Sequence, residues 1–293
     1  MEYQARVFTC SISDFFIDHP AANSRRLGAW FVIRNTPNLT YLILTKRPHN
    51  ILKMLPKDWG HGYPNVWLGT SVGCNLTMWR VDALRKVPVH PECVRFLSCE
   101  PLLEDIAPKL DLTGIGWVIA GGESGAGKHT EFVYSEKNWR DYFDANKTPN
   151  GRRTMKLEWA QKLLDMSRAA GLPFYFKQVT ASQQHVGMDA LGRIYREYPA
   201  PPAGKEWLAD DDDTKQVLKL ASPISWTHWP WNPWKGCIKV GPECIFCYID
   251  RPSCGGGQFN IIQQTGTLNS PYEWSKQIAL MASNQPPVHS LPQ

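Results

Sequence analysis

Tyr41-Leu42-Ile43-Leu44-Thr45-Lys46-Arg47 is a short apolar run that gives way at once to polar and basic residues. The run has the length and composition of a strand buried on both faces. The same pattern returns along the chain. Residues 6–10 lead into Ser11, Ser13 and Asp14, and residues 66–69 into Thr70 and Ser71. Residues 94–97 lead into Ser98, Cys99 and Glu100, and residues 117–120 into Gly121, Gly122, Glu123 and Ser124. Residues 173–176 lead into Lys177 and Gln178. Helical stretches lie between several of these runs; the one over 157–170 stops at Gly171, as a left-handed C-cap requires.

Strands that alternate with helices predict parallel βα units. Residues 6–180 hold six of them, and residues 224–226 and 259–262 are two further strand candidates. Eight units predict an α/β protein with a (β/α)8 TIM-type barrel, a fold of about 250 residues whose site forms at the C-terminal ends of the strands. An open doubly wound sheet is the alternative. The polar groups at those ends, Asp14, Lys46, Arg47, Glu100, Glu123 and Lys177, are the candidate site residues. Each alone is also readable as a surface ion pair. Pro201, Pro202, Gly204 and the acidic run 210–213 mark 200–221 as a surface connector between residues 1–199 and 222–293 of one composite domain. Residues 128–153 look like an insertion, and the tail after Asn284 looks frayed.

The chain has 293 residues, 43% hydrophobic and 20% charged, enough for a sizeable core. Its net charge of +5 leans only weakly toward anionic partners. No apolar run is long enough to span a membrane, and the N-terminus lacks a signal-peptide layout, so a cytoplasmic protein with no membrane partner is expected. The eight cysteines are then thiols or metal ligands rather than disulfides.

Cys237, Cys244 and Cys247 form a C-x6-C-x2-C array at the end of a stretch rich in Trp, Pro and Gly. Thiolates this close on a loop can converge on one metal centre, and three of them leave a coordination position open. Cys254 could supply a fourth thiolate, and four would make a closed structural zinc site. Cys10, Cys74, Cys93 and Cys99 read singly as core thiols. Trp226, Trp229, Trp231 and Trp234 read first as packing around the loop, and second as a shield for a cluster or a platform for a base.

Residues 122–128 satisfy G-x4-G-K after a predicted strand, as a phosphate-binding loop would. His129 stands where that motif places Ser or Thr, and no second nucleotide motif follows. The alternative is a tight turn in which Gly121, Gly122, Glu123 and Ser124 line the barrel mouth.

The stretch W-T-x-x-x-W-N-P-x-x-G-C-x6-C-x2-C-Y, residues 226–248, resembles the opening motif of a three-cysteine protein family common in phages and prophages. That family is described as radical-SAM-like and of unknown function. Residues 11–16 resemble its S-x-S-D-F-F strand, 44–48 its L-T-K-R-P, 65–72 its N-V-W-L-G-x-S-V and 98–103 its S-x-E-P-L-L. Residues 121–125 and 174–178 are similar to it as well. The order differs: the family opens with the cysteine motif, whereas here it comes last, so the chain reads as circularly permuted through about residues 200–221. The resemblance implies a [4Fe–4S] cluster on Cys237, Cys244 and Cys247. It implies S-adenosylmethionine on the open iron, cleaved by one electron to a 5′-deoxyadenosyl radical, and an electron donor such as flavodoxin or ferredoxin. Gly121, Gly122, Glu123 and Ser124 would then contact that cofactor. Asp14, Lys46, Arg47, Glu100 and Lys177 would serve the reaction. The phage association points to nucleic acid or a nucleotide as substrate. A zinc-stapled binding protein and a P-loop nucleotidase are the other readings.

Overall fold

The computed structural model of the protein describes residues 2–124, 128–129, 151–211, 214, 224, 226–244, 247 and 262–283. Six strands pair in chain order, each parallel to the next: β1 (Glu2–Thr9), β2 (Leu39–Thr45), β3 (Val66–Ser71), β4 (Arg95–Cys99), β5 (Trp117–Ala120) and β6 (Phe174–Phe176). They are the six strands read from the sequence. Two later strands join them, both parallel to β1: β7 (Lys205–Trp207) beside its start and β8 (Trp229–Trp231) beside its end. The late strand β8 thus takes the place ahead of the first strand.

The sheet is a curled, parallel half-barrel. The expected closed ring of eight does not form among the described residues, where β8 and β6 are its two edges. Two expected strands differ. The one placed over 224–226 lies instead at β8, because the Thr227 amide turns back onto the Ile224 carbonyl, 3.1 Å away, and Trp226 swings into the interior. Of the one placed over 259–262, only Ile262 is described, and it is in no strand; β8 pairs directly with β1. Residues 259–261 lie outside the described residues. Gln263–Gln264 (β10) pairs antiparallel with Trp234–Lys235 (β9) in a separate ribbon.

Part of the expected connector belongs to the fold. Besides β7, it supplies Leu208, which is buried, and Asp210, which pairs with Arg6 at 2.6 Å and His228 at 3.1 Å. Of the insertion-like stretch, Lys128–His129 pairs with Gly151–Arg152; residues 130–150 and the tail from Asn284 lie outside the described residues.

Helices cover the outer face of the sheet. They are α1 (Pro20–Arg34), α2 (Ile51–Met54), α3 (Trp79–Arg85), α4 (Leu157–Ala169) and α5 (Ser270–Ser283). α3 packs on β3 and β4, α4 on β5 and β6, and α5 on β1. The C-cap read at Gly171 is present, with φ +66°. No helix among the described residues is long and apolar enough to cross a membrane.

Strand side chains alternate between the two faces. The inward face carries a dense aromatic layer: Phe8, Trp67, Phe96, Trp117, Tyr175 and Trp226. Room for it is made at Gly69, where the Phe96 ring lies across the strand and an added Cβ would come within 2.4 Å of it. Gly69→Ala is therefore expected to cost about 1–3 kcal/mol. The urea midpoint should fall with an unchanged m-value; an unchanged midpoint would mean that the ring moves aside freely.

Candidate functional site

Phe8 and Trp226 of this layer form the floor of a cavity of about 480 Å³ at the C-terminal ends of the strands. That volume is typical of small-molecule sites. Strand register brings polar side chains to the same inward face above the aromatics: Lys46 after β2, Ser71 from β3, Ser98 from β4 with Glu100 just past it, and Lys177 after β6; Cys10, with φ +63°, lines the cavity from the turn after β1. Cys237, Cys244 and Cys247 line the same cavity from the loop after β9. The structure thus brings together the three array cysteines, Asp14, Lys46, Arg47, Glu100, Gly122, Glu123, Ser124 and Lys177.

Asp14 is buried, and its carboxylate is fully used. Oδ1 accepts from the Phe16 amide at 2.9 Å and Thr45 Oγ1 at 2.7 Å; Oδ2 accepts from the Lys46 amide and Arg47 Nη1, both at 3.0 Å. Burial alone would raise its pKa; Arg47, Thr45 and the two amides outweigh it and hold the carboxyl below its ordinary 3.8. With no lone pair left to work on a substrate, Asp14 positions its neighbours. Arg47 is likewise spent: it donates to Asp14, to the Ile238 carbonyl and, at 3.9 Å, to Cys237 Sγ. It is a brace for the cysteine loop rather than a free anion site.

Lys46 differs. Its ammonium has no hydrogen-bond partner among the described residues and sits in the field of Cys244, Cys247 and Glu243. Burial would lower its pKa, but those groups lift it above the ordinary lysine value. The Cys237 thiol, pushed up to about 12 chiefly by burial, is protonated at neutral pH, so any metal loading there releases a proton.

Two further arginines, not found from the sequence, hold the loop. Arg80 of α3 pairs with Glu243 at 3.0 Å, both fully buried; Thr77 Oγ1 donates to the same carboxylate oxygen at 2.7 Å. Arg153 grips Glu123 through Nη2 at 2.6 Å and Nε at 3.1 Å, and donates from Nη1 to the Pro242 carbonyl at 2.8 Å. Glu123 therefore fastens the loop while also lining the cavity. The Gly121 and Gly122 amides are spent as well, on the Cys99 and Gln178 carbonyls at 3.2 and 2.9 Å. Those two N–H groups are therefore not offered to the cavity. The glycines matter by lacking a side chain: a Cβ on Gly121 would lie 2.7 Å from Glu100 Oε1, and one on Gly122 2.3 Å from the Thr180 amide. Lys128, the lysine of the G-x4-G-K pattern, lies in a short extended pair with Gly151. Gly125–Gly127 lie outside the described residues.

Four placements complete the site. Cys74, Cys93 and Cys99 are buried core thiols, as read, and Cys10 also lines the cavity. Its position one step past β1 is the signal that could have found it. Among the tryptophans, Trp229, Trp231 and Trp234 are buried in packing, and Trp226 forms part of the cavity floor. Phe246, Tyr248 and Cys254 lie outside the described residues. Among the described residues, no three His, Cys, Asp or Glu side chains are gathered tightly enough to hold a single metal ion.

Two outcomes follow. Arg80→Met leaves Glu243 buried without its cation and should cost about 3–5 kcal/mol. Adding Glu243→Leu should recover most of that loss by calorimetry, and a double variant no more stable than the single one would contradict the pairing. The Asp14 contribution is complete above pH 3.8 and is lost as pH falls through its lower folded value, because the unfolded state then binds the extra proton. The acid limb of the stability–pH curve should therefore flatten in Asp14→Asn; an unchanged slope below pH 4 would contradict the assignment.

No curated protein and no solved structure matches this chain. The family described as "Protein of unknown function (DUF5131)" matches residues 1–149, which hold β1 to β5 and Asp14, Lys46, Arg47 and Glu100. The match covers just over half of the 293 residues, and the chain belongs to that family.

Proposed function

We propose that this chain is a radical S-adenosylmethionine-type enzyme whose [4Fe–4S] cluster is held by Cys237, Cys244 and Cys247. The observation that carries the reading is the opening of all three thiols onto one cavity at the strand ends, beside Lys46 and Arg47. The donor set fits the group. Thiolates are the usual ligands of such clusters, and each would bind a different iron, so they stand farther apart than around a single ion. When bound, the cluster and S-adenosylmethionine supply one-electron cleavage chemistry and hydrogen-atom abstraction.

The chain's own residues supply the setting. Arg47 offers an N–H to the Cys237 sulfur, and hydrogen bonds to cluster sulfurs are one determinant of reduction potential. Lys46 places positive charge beside Cys244 and Cys247, where an anionic cluster or a cofactor carboxylate would sit. The aromatic floor keeps water from entering below. An electron donor such as flavodoxin or ferredoxin is the partner this chemistry needs. The permuted order is part of the proposal: β8, next to the cysteines, lies beside β1 at the place an opening strand would take.

Anaerobic reconstitution with iron and sulfide tests it. The expected content is about four irons per chain, and Cys237→Ala, Cys244→Ala and Cys247→Ala should each lose most of it. One tightly held zinc per chain with no iron uptake would overturn the reading in favour of a zinc-stapled binding protein.

A further inference from the structure

The wall of the cavity away from the cysteines carries a second, unused piece of recognition chemistry. The register aligns Glu100, Gly121 and Lys177 in one row across β4, β5 and β6. Gly121 presents no side chain, so the two flanking groups meet across the gap, with Lys177 Nζ 3.6 Å from Glu100 Oε1. That is an ion pair but not a hydrogen bond. Oε1 is shielded from water and has no hydrogen-bond partner, while Oε2 receives only the Ser98 hydroxyl at 3.4 Å. Lys177 Nζ has no other partner among the described residues. Both side chains line the cavity and are partly exposed, so the under-used Oε2 and the Lys177 ammonium leave bonding for a ligand to complete.

The floor next to it is aromatic. Phe8 and Trp226 meet edge to face at 4.7 Å, and both line the cavity. Trp226 is buried, and its indole N–H also has no hydrogen-bond partner. The two rings are only 8% and 2% exposed, so they form an apolar floor beneath a ligand rather than an open stacking face.

We propose that Glu100 and Lys177 recognise the edge of a planar heterocycle of nucleobase type that carries an N–H beside a carbonyl, as guanine and uracil do. The carboxylate accepts the ring N–H, the ammonium donates to the carbonyl, and Phe8 and Trp226 supply the apolar floor beneath. The substrate role rests on the reading of the site given above, but the binding itself needs no metal.

Calorimetric titration of the full chain, both metal-free and after reconstitution, with guanosine, uridine and adenosine provides the test. Guanosine or uridine should bind. The corresponding 1-methylguanosine or 3-methyluridine, which lacks the ring N–H, should bind at least about tenfold more weakly to the same unaltered protein. Glu100→Gln and Lys177→Met should lose the affinity while keeping the parent melting curve. Equal binding of the methylated bases, no binding of either parent nucleoside, or binding of adenosine alone, which would point to the adenine of the cofactor, would overturn the proposal. Iron content, measured in the same samples, reports separately on the cluster: base binding without iron uptake would leave this proposal standing and remove the radical chemistry.

Discussion

The buried pair between Asp14 and Arg47 is the constraint on which the site depends. It joins the turn after β1, the end of β2 and a loop some 190 residues further along the chain. Asp14 accepts four hydrogen bonds, and Arg47 passes the restraint to Cys237 and the Ile238 carbonyl. Taking both charges out of water is expensive, and the full complement of partners is what offsets that cost. The same device is used twice more. Arg80 from α3 holds Glu243, and Arg153 holds Glu123 while reaching the Pro242 carbonyl. Three guanidiniums from three parts of the chain thus converge on residues 237–243. A loop with almost no regular structure is placed by charge rather than by backbone ladders.

The cavity above the aromatic layer has two chemically distinct sides. One carries the thiols with Lys46 and Arg47; the other carries Glu100 and Lys177 across the gap at Gly121. Register explains the division: inward-facing positions are apolar through the strand centres and turn polar one step past the C-terminal ends. The sheet therefore supplies a dry floor and a wet rim with no insertion needed for either. Gly69 and Gly121 serve this arrangement in the same way, one making room for a ring and the other for an ion pair.

Much of this was legible in the sequence because strand ends are local. The run at 41–44 and its five counterparts each became a strand, and Lys46, Glu100 and Lys177 reached the cavity. Ring closure was not legible, because counting apolar runs says nothing of which strands pair. The strand expected over 224–226 shifted to β8 once Trp226 was taken into the interior. Roles were harder than positions. Asp14, Arg47 and Glu123 were read as working groups; all three line the cavity, and their hydrogen bonds also fasten the loop. Arg80, Arg153 and Glu243 were missed because their partners lie 163 or 89 residues away, and no short pattern marks such pairs.

The central claim is that the three thiols hold a cluster with one open coordination position. The most direct test is low-temperature electron paramagnetic resonance of the reduced, reconstituted protein with and without S-adenosylmethionine. The account predicts a cluster signal whose shape changes when the cofactor is added, because it binds at the open iron. A cluster signal that stays the same with the cofactor in excess would contradict it.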